Sequence, residues 1–225
     1  MERDDVIISL VNKHQVLTCE LTAALLGMER THSNLNIVER RLRLLSEQKH
    51  FAQVLQDNVT YTVSYSVSLR KTGTRAQLLH RAMQSRFWGT LHAAVPVAMQ
   101  KTDREFRLEK GPLVPDGFCQ VHNGSFFVEC NTGRDSFDNV LKKAREYDRQ
   151  KDYLCRIYDL ESFRVLWVSR SPDRAGHMLA KFVDIGSGGL FLVTTEREVN
   201  PFIPASILTC WLRPIPVGKV PPLEG

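Results

Sequence analysis

Asp116 and Glu129 are the residues of this 225-residue chain whose types and spacing point first to chemistry. Asp116 stands between Pro115 and Gly117, and Glu129 lies in the apolar run Phe126-Phe127-Val128-Glu129-Cys130. Residues 117–122 and Ser125–Cys130 read as two strands, and Asn123-Gly124 between them is a dipeptide of the type that closes hairpins. A hairpin of that form carries both carboxylates to one place. A carboxylate on a buried strand has to be neutralised, paired or bound to a cation. Two such groups are hard oxygen ligands of the kind that Mg2+ or Mn2+ accepts. Such an ion offsets charge on a phosphate and lowers the pKa of a water, which is the chemistry of metal-dependent phosphodiester cleavage.

The elements downstream are suited to complete this site. Asp135 or Ser136 can cap a helix running through Tyr147, with Phe137, Val140, Leu141 and Ala144 as its apolar side. Lys143 and Tyr147 are four residues apart and share one face of that helix. Taken by itself, that face would be an exposed one.

Pro115-Asp116, then Phe126 to Asn131, then Lys143 and Tyr147, resembles the PD-(D/E)xK nuclease core as it occurs in the replication-relaxation family of plasmid proteins, which includes the MobC-type mobilisation relaxases. The resemblance extends over most of the chain. It implies that Asp116 and Glu129 hold a divalent metal, with the backbone carbonyl of Cys130 as a further ligand, and that a lysine supports the attacking water or the scissile phosphate. It also implies an acid–base histidine in a long preceding helix, which here is His80. The sequence departs from the pattern two residues after the glutamate, where a lysine is expected and Asn131 stands. The resemblance then assigns the lysine's task to Lys143. Water and Tyr147 both stay open as nucleophile. The implied activity is strand nicking at a plasmid origin of transfer, with double-stranded plasmid DNA as substrate and a conjugative coupling protein or accessory factor as partner. Relaxases of the commoner kind hold their metal with paired histidines; the seven histidines here form no His-x-His cluster.

The amino-terminal elements read as a DNA-binding module. Residues 3–13 have helical periodicity, Thr18 caps a second helix ending near Gly27, and a third follows Ser33 with Leu35, Val38, Leu42 and Leu45 at helical spacing. Phe51–Leu55 and Tyr61–Leu69 read as strands around residues 56–58. Three helices and a two-stranded ribbon are the order of a winged helix-turn-helix, assigned to residues 1–72. Its third helix is expected in the major groove. On that reading Ser33, Asn34, Asn36, Arg40 and Arg41 face DNA, and Arg43 and Lys49 reach phosphates. The alternatives are a solvated face or a protein-binding surface.

Past a basic connector, Arg70 to Thr74, the sequence predicts a helix over Ala76–His92 and strands at Val95–Met99 and Glu105–Leu108. After the hairpin it predicts a strand at Phe163–Val168, a helix over Pro172–Val183 and a strand at Gly189–Thr194. Strand, helix, strand implies a βαβ crossover. The expected fold class is α/β with an all-α, winged-helix amino terminus: a winged helix-turn-helix, then a restriction-endonuclease-like mixed-sheet domain over 73–213, then a Pro-rich tail over 214–225.

The hydrophobic fraction of 43% and charged fraction of 24% are those of a globular protein, and no apolar run approaches the ~20 residues of a membrane span. No cationic-then-apolar leader opens the chain, so no membrane insertion and a cytoplasmic location are expected. A net charge of +5 and a pI near 9.0 favour a polyanionic partner. Five cysteines show neither a CxxC nor a zinc-type spacing. With Asn131 at the lysine position, the competing reading is a non-catalytic plasmid replication or transcription regulator that binds DNA and carries a degenerate nuclease-like domain.

Overall fold

Side-chain caps start the amino-terminal helices. Thr18 Oγ1 accepts from Leu21 N and Thr31 Oγ1 from Asn34 N, both at 3.2 Å, and such caps each contribute about 1 kcal/mol. The computed structural model describes residues 3–64, 74–109, 113–122, 124–187 and 189–203. In chain order the first elements are α1 (Arg3–His14), β1 (Val16–Thr18), α2 (Cys19–Leu25), α3 (His32–Glu47), β2 (Ala52–Gln56), β3 (Val59–Val63) and α4 (Arg75–Ala94). The third helix thus begins at His32 behind Thr31, which puts Ser33 and Asn34 in its first turn.

Gln15 adopts a left-handed φ of 67° and turns the chain from α1 into β1, a three-residue strand that the sequence did not announce. β1 pairs antiparallel with β3, and β3 with β2, in the order β1-β3-β2. Asp57 and Asn58 both have positive φ at the β2–β3 turn, as a tight two-residue hairpin loop requires. Ile7, Val11, Leu17, Leu21, Val38, Leu42, Leu45 and Phe51 form the core beneath. The expected strand Tyr61–Leu69 is observed to Val63; residues 65–69 and the connector through residue 73 lie outside the described residues.

The first compact unit runs to Ala94 rather than ending at residue 72. α4 belongs to it for three reasons. Its Leu78 and Leu79 pack on Val16, Tyr61 and Val63; Ser85 Oγ donates to His14 O at 2.5 Å; and a side chain at Gly89 would meet Leu21 and Leu25 at 3.1 and 3.3 Å. The segment from Val199 also belongs to it, with Arg86 Nε donating to Val199 O at 2.8 Å and Phe202 against the core.

The second unit spans Val95–Glu198. It contains β4 (Met99–Thr102), α5 (Asp103–Glu109), β5 (Gly117–Val121), β6 (Gly124–Asn131), α6 (Phe137–Arg149), α7 (Lys151–Ile157), β7 (Arg164–Ser169), α8 (Pro172–Asp184) and β8 (Phe191–Thr195). The sheet order is β4-β5-β6-β7-β8; β4, β5 and β6 pair antiparallel, while β6–β7 and β7–β8 are parallel and need the helical crossovers α6–α7 and α8. The fold is therefore mixed α/β. Phe118, Phe127, Tyr147, Trp167, Phe182 and Phe191 fill the core between sheet and helices.

Three local expectations are corrected. The strand expected at Val95–Met99 begins only at Met99 and runs to Thr102. Glu105–Leu108 is helical, inside α5, because Glu105 Oε2 reaches back to Thr102 N (2.7 Å) and Thr102 Oγ1 (2.9 Å), so its carboxylate satisfies the amide at the start of the helix. Gly124 is not a turn residue but pairs with Val121 as the first residue of β6; Asn123 lies outside the described residues. The proposed Pro-rich tail, 214–225, also lies outside them.

Candidate active site at the carboxylate hairpin

The β5–β6 ladder sets both acids. Asp116 N donates to Val128 O at 3.1 Å just before the first ladder pair, Gly117 with Val128, and Asp116 Oδ2 accepts from Cys130 N at 2.7 Å. Asp116 is thereby pinned against the strand that carries Glu129. Side chains alternate along β6, so Phe127, Glu129 and Asn131 share the face covered by α6, and Val128 and Cys130 take the other. Glu129 is 3% exposed.

Helix α6 supplies the partners. Ser136 Oγ caps it by accepting from Asn139 N at 3.2 Å, and Val140, Ala144 and Tyr147 turn inward. That phase brings Lys143 and Tyr147 together onto Glu129. Lys143 Nζ donates to Glu129 Oε2 at 2.6 Å and to Val114 O at 3.0 Å; Tyr147 donates its hydroxyl proton to Glu129 Oε1 at 2.5 Å.

Burial pushes the Glu129 carboxyl up to about 7; the Lys143 charge opposes this and the Asp116 charge adds to it. Burial also acts to lower the Lys143 ammonium, but the Glu129 and Asp116 carboxylates outweigh it and hold the group above its usual value. Tyr147 is fully buried, and burial followed by the Glu129 charge pushes its phenol well above 10. A phenol so placed is a donor that orients Glu129.

Asn131, at the position where a lysine was expected, is 2% exposed. Its Oδ1 accepts from Gly133 N at 2.9 Å and from Arg174 Nε at 2.6 Å. Arg174 comes from the first turn of α8, donates a second time to Asp135 O, and lies over the Phe137 ring at 4.6 Å. Sequence reasoning passed over Arg174. The one available signal was its place in a Ser171-capped helix behind the strand that pairs with β6.

His80 is not brought to this hairpin's unit. It lies on α4 in the first unit, its Nε2 3.1 Å from Gln84 Nε2. Of the cysteines, Cys119 and Cys130 are free and buried, as small hydrophobes on the two strands. Burial holds the Cys130 thiol well above its usual pKa.

Among the described residues no group of three or more His, Cys, Asp or Glu side chains is arranged to hold a metal ion. The donor set near Glu129 is two carboxylates and backbone carbonyls. That set suits a magnesium-type ion, which takes one or two carboxylates and fills its other positions with water and phosphate oxygens. Glu129 and Asp116 also keep acceptor capacity, since a carboxylate accepts at about four sites.

On α3 the face opposite Val38, Leu42 and Leu45 exposes Ser33, Asn36, Arg40 and Arg43 together, beside Ile37 at 48% exposure. Two of the expected contacts turn elsewhere. Asn34 Nδ2 donates to Glu29 O at 3.0 Å, and Arg41 pairs with Asp4 of α1, whose carboxyl is lowered chiefly by that hydrogen bond. Lys49 is exposed just past the helix at a left-handed φ of 63°.

No family model and no curated protein matches the chain. Among solved structures, the crystal structure of protein VC1899 from Vibrio cholerae is similar, with a TM-score of 0.41 and 14% sequence identity over 94% of this chain and 50% of that one. The chain spans about half the length of that protein.

Proposed function

We propose that the protein is a metal-dependent DNA endonuclease in which a winged-helix unit binds duplex DNA and a PD-(D/E)xK-like unit cuts one strand. The observation that carries this reading is the pinning of Asp116 and Glu129 to adjacent residues of one ladder, with Lys143 already drawn to the buried carboxylate. Two acids held this close repel each other, and a cation relieves that repulsion. Asp116, Glu129 and the Cys130 carbonyl would hold Mg2+ or Mn2+. When bound, such an ion supplies charge stabilisation for a transferring phosphate and acidifies a water.

The chain's own residues prepare the site. Tyr147 and Lys143 fix the two Glu129 oxygens, and the Cys130 amide fixes Asp116, so the ligands need little reorganisation. The first unit's order α1–β1–α2–α3–β2–β3 is that of a winged helix, with Ser33, Asn36, Arg40 and Arg43 as its groove face and Lys49 toward phosphate. The resemblance to replication-relaxation proteins extends this to nicking at a plasmid origin of transfer.

A second reading has one observation in its favour. Asn131 is neutral and its carboxamide oxygen is engaged by Gly133 N and Arg174 Nε, which suits a DNA-binding regulator whose nuclease-like unit has lost activity.

The test is manganese-dependent nicking of a supercoiled plasmid bearing the cognate site. Asp116→Ala and Glu129→Ala are each expected to abolish nicking while leaving duplex binding near wild type. Normal nicking by both variants would remove these residues from the reaction, and a native protein that fails to nick with any divalent metal would favour the regulator.

A further inference from the structure

The departure at Asn131 leaves a question of charge. In the resembled core one lysine follows the glutamate by two residues, yet here that side chain is a buried neutral amide. Lys143 is occupied with Glu129 and Val114 O. A cation does reach position 131 from another element: the Asn131 amide oxygen receives Arg174 Nε at 2.6 Å. Asn131 lies two residues beyond Glu129 on the same face of β6, so its carboxamide stands about 7 Å along the strand from the carboxylate's own position.

The rest of the guanidinium is oriented but not used up. Nε and Nη2 are tied to Asn131 and Asp135 O, and the Phe137 ring supports the plane from one side. Among the described residues Nη1 has no hydrogen-bond partner. An arginine carries five donors in a rigid fork that matches phosphate geometry, so this one retains donors for an anion after its own tethers are made. Among the described residues Arg174 makes no ion pair with an aspartate or glutamate; its tethers are the Asn131 amide oxygen and the Asp135 carbonyl.

We propose that Arg174 contacts the scissile phosphate, with Asn131 as the residue that positions it, so that the cation supplied in the resembled core by a lysine on the strand is supplied here from helix α8. The inference rests on the nuclease reading above and adds to it a residue which neither the motif nor the spacing includes. It divides the lysine's work between two side chains: Lys143 orients the carboxylate, and Arg174 receives the phosphate.

Arg174→Gln tests this, because glutamine keeps a hydrogen-bonding group for Asn131 and removes the charge. Binding of duplex carrying the cognate site is measured against salt in metal-free buffer, where loss of one phosphate contact lowers the slope of log K on log salt by about 0.9. Nicking of the supercoiled plasmid with Mn2+ and the melting temperature are measured in parallel. The expected result is a slope reduced by about one and single-turnover nicking reduced about 100-fold, the scale of losing one transition-state donor, with melting little changed. Asn131→Lys placed in the Arg174→Gln background is expected to recover at least about tenfold of the rate, since it returns a cation to the strand. Arg174→Gln with native slope and native nicking overturns the inference alone. A loss that Asn131→Lys does not recover also overturns it, leaving Arg174 as a tether between α8 and β6. Wild type that fails to nick with any divalent metal overturns the nuclease reading and this inference with it.

Discussion

Tyr147 and Glu129 meet across the α6–β6 interface at 2.5 Å, the phenol donating and the carboxylate accepting, with neither exposed to more than 3%. The contact determines what Tyr147 can do. Tyr147→Phe is expected to cost about 1–2 kcal/mol in chemical denaturation, because a buried acceptor loses its donor. It is also expected to retain nicking and to leave a free 5′ end, with no DNA attached to protein on a denaturing gel. A covalent adduct lost in Tyr147→Phe would assign the attack to this phenol.

The raised Glu129 carboxyl makes stability depend on pH in a particular direction. Its folded value of about 7 lies above the ordinary 4.5, so between those limits the folded chain holds a proton that the unfolded chain has released. Stability therefore falls as pH rises from about 4.5 to 7, by on the order of 1–3 kcal/mol. Glu129→Gln should flatten that slope. Urea midpoints at pH 5 and pH 7.5 for both proteins provide the check, and equal slopes would contradict the assignment.

Lys143 and Glu129 should behave as a coupled pair. Lys143→Met leaves the carboxylate buried without its cation and is expected to cost about 3 kcal/mol at pH 7.5. In the Glu129→Gln background the same change should cost much less. A double-mutant cycle in urea measures the difference, and additivity would mean that the 2.6 Å contact contributes nothing to stability.

On the first unit, exposure separates the arginines of α3. Arg40→Ala and Arg43→Ala should each reduce the salt slope of duplex binding by about one. Arg41→Ala should leave the slope unchanged, because Arg41 is committed to Asp4. Fluorescence anisotropy from low to moderate salt distinguishes the two behaviours; slopes unchanged from wild type in all three variants would move recognition off this helix.

Packing of α4 on the first unit predicts that Gly89→Val is destabilising by about 1–3 kcal/mol, through overpacking against Leu21 and Leu25. A melting temperature equal to wild type would mean that those leucines yield without cost.

Much of this architecture was legible in short-range signals. Thr18 and Ser136 cap helices that could be located from the sequence, and the apolar run around Glu129 identified a buried strand. What escaped lay in tertiary contacts or in segments too short for a period. β1 has three residues, fewer than any periodicity can register, and is held by β3 over forty residues away. Phe106 and Leu108 alternate with charged residues and suggest a strand, while the decisive signal was Thr102 with Glu105, three residues apart. The boundary at residue 72 followed the glycine-punctuated connector, yet α4 was claimed by Val16, Tyr61 and Val63. In the site, Lys143 and Tyr147 could be paired from their spacing of four. Arg174 reaches Asn131 from 43 residues away, and nothing local announces it.

The chain leaves the first unit at Ala94 and returns to it at Val199, 105 residues later. A nascent chain that has emerged only to Ala94 lacks the carbonyl that Arg86 Nε will seek and the ring of Phe202. Packing of the 199–203 segment on the first unit thus waits on synthesis of the second unit.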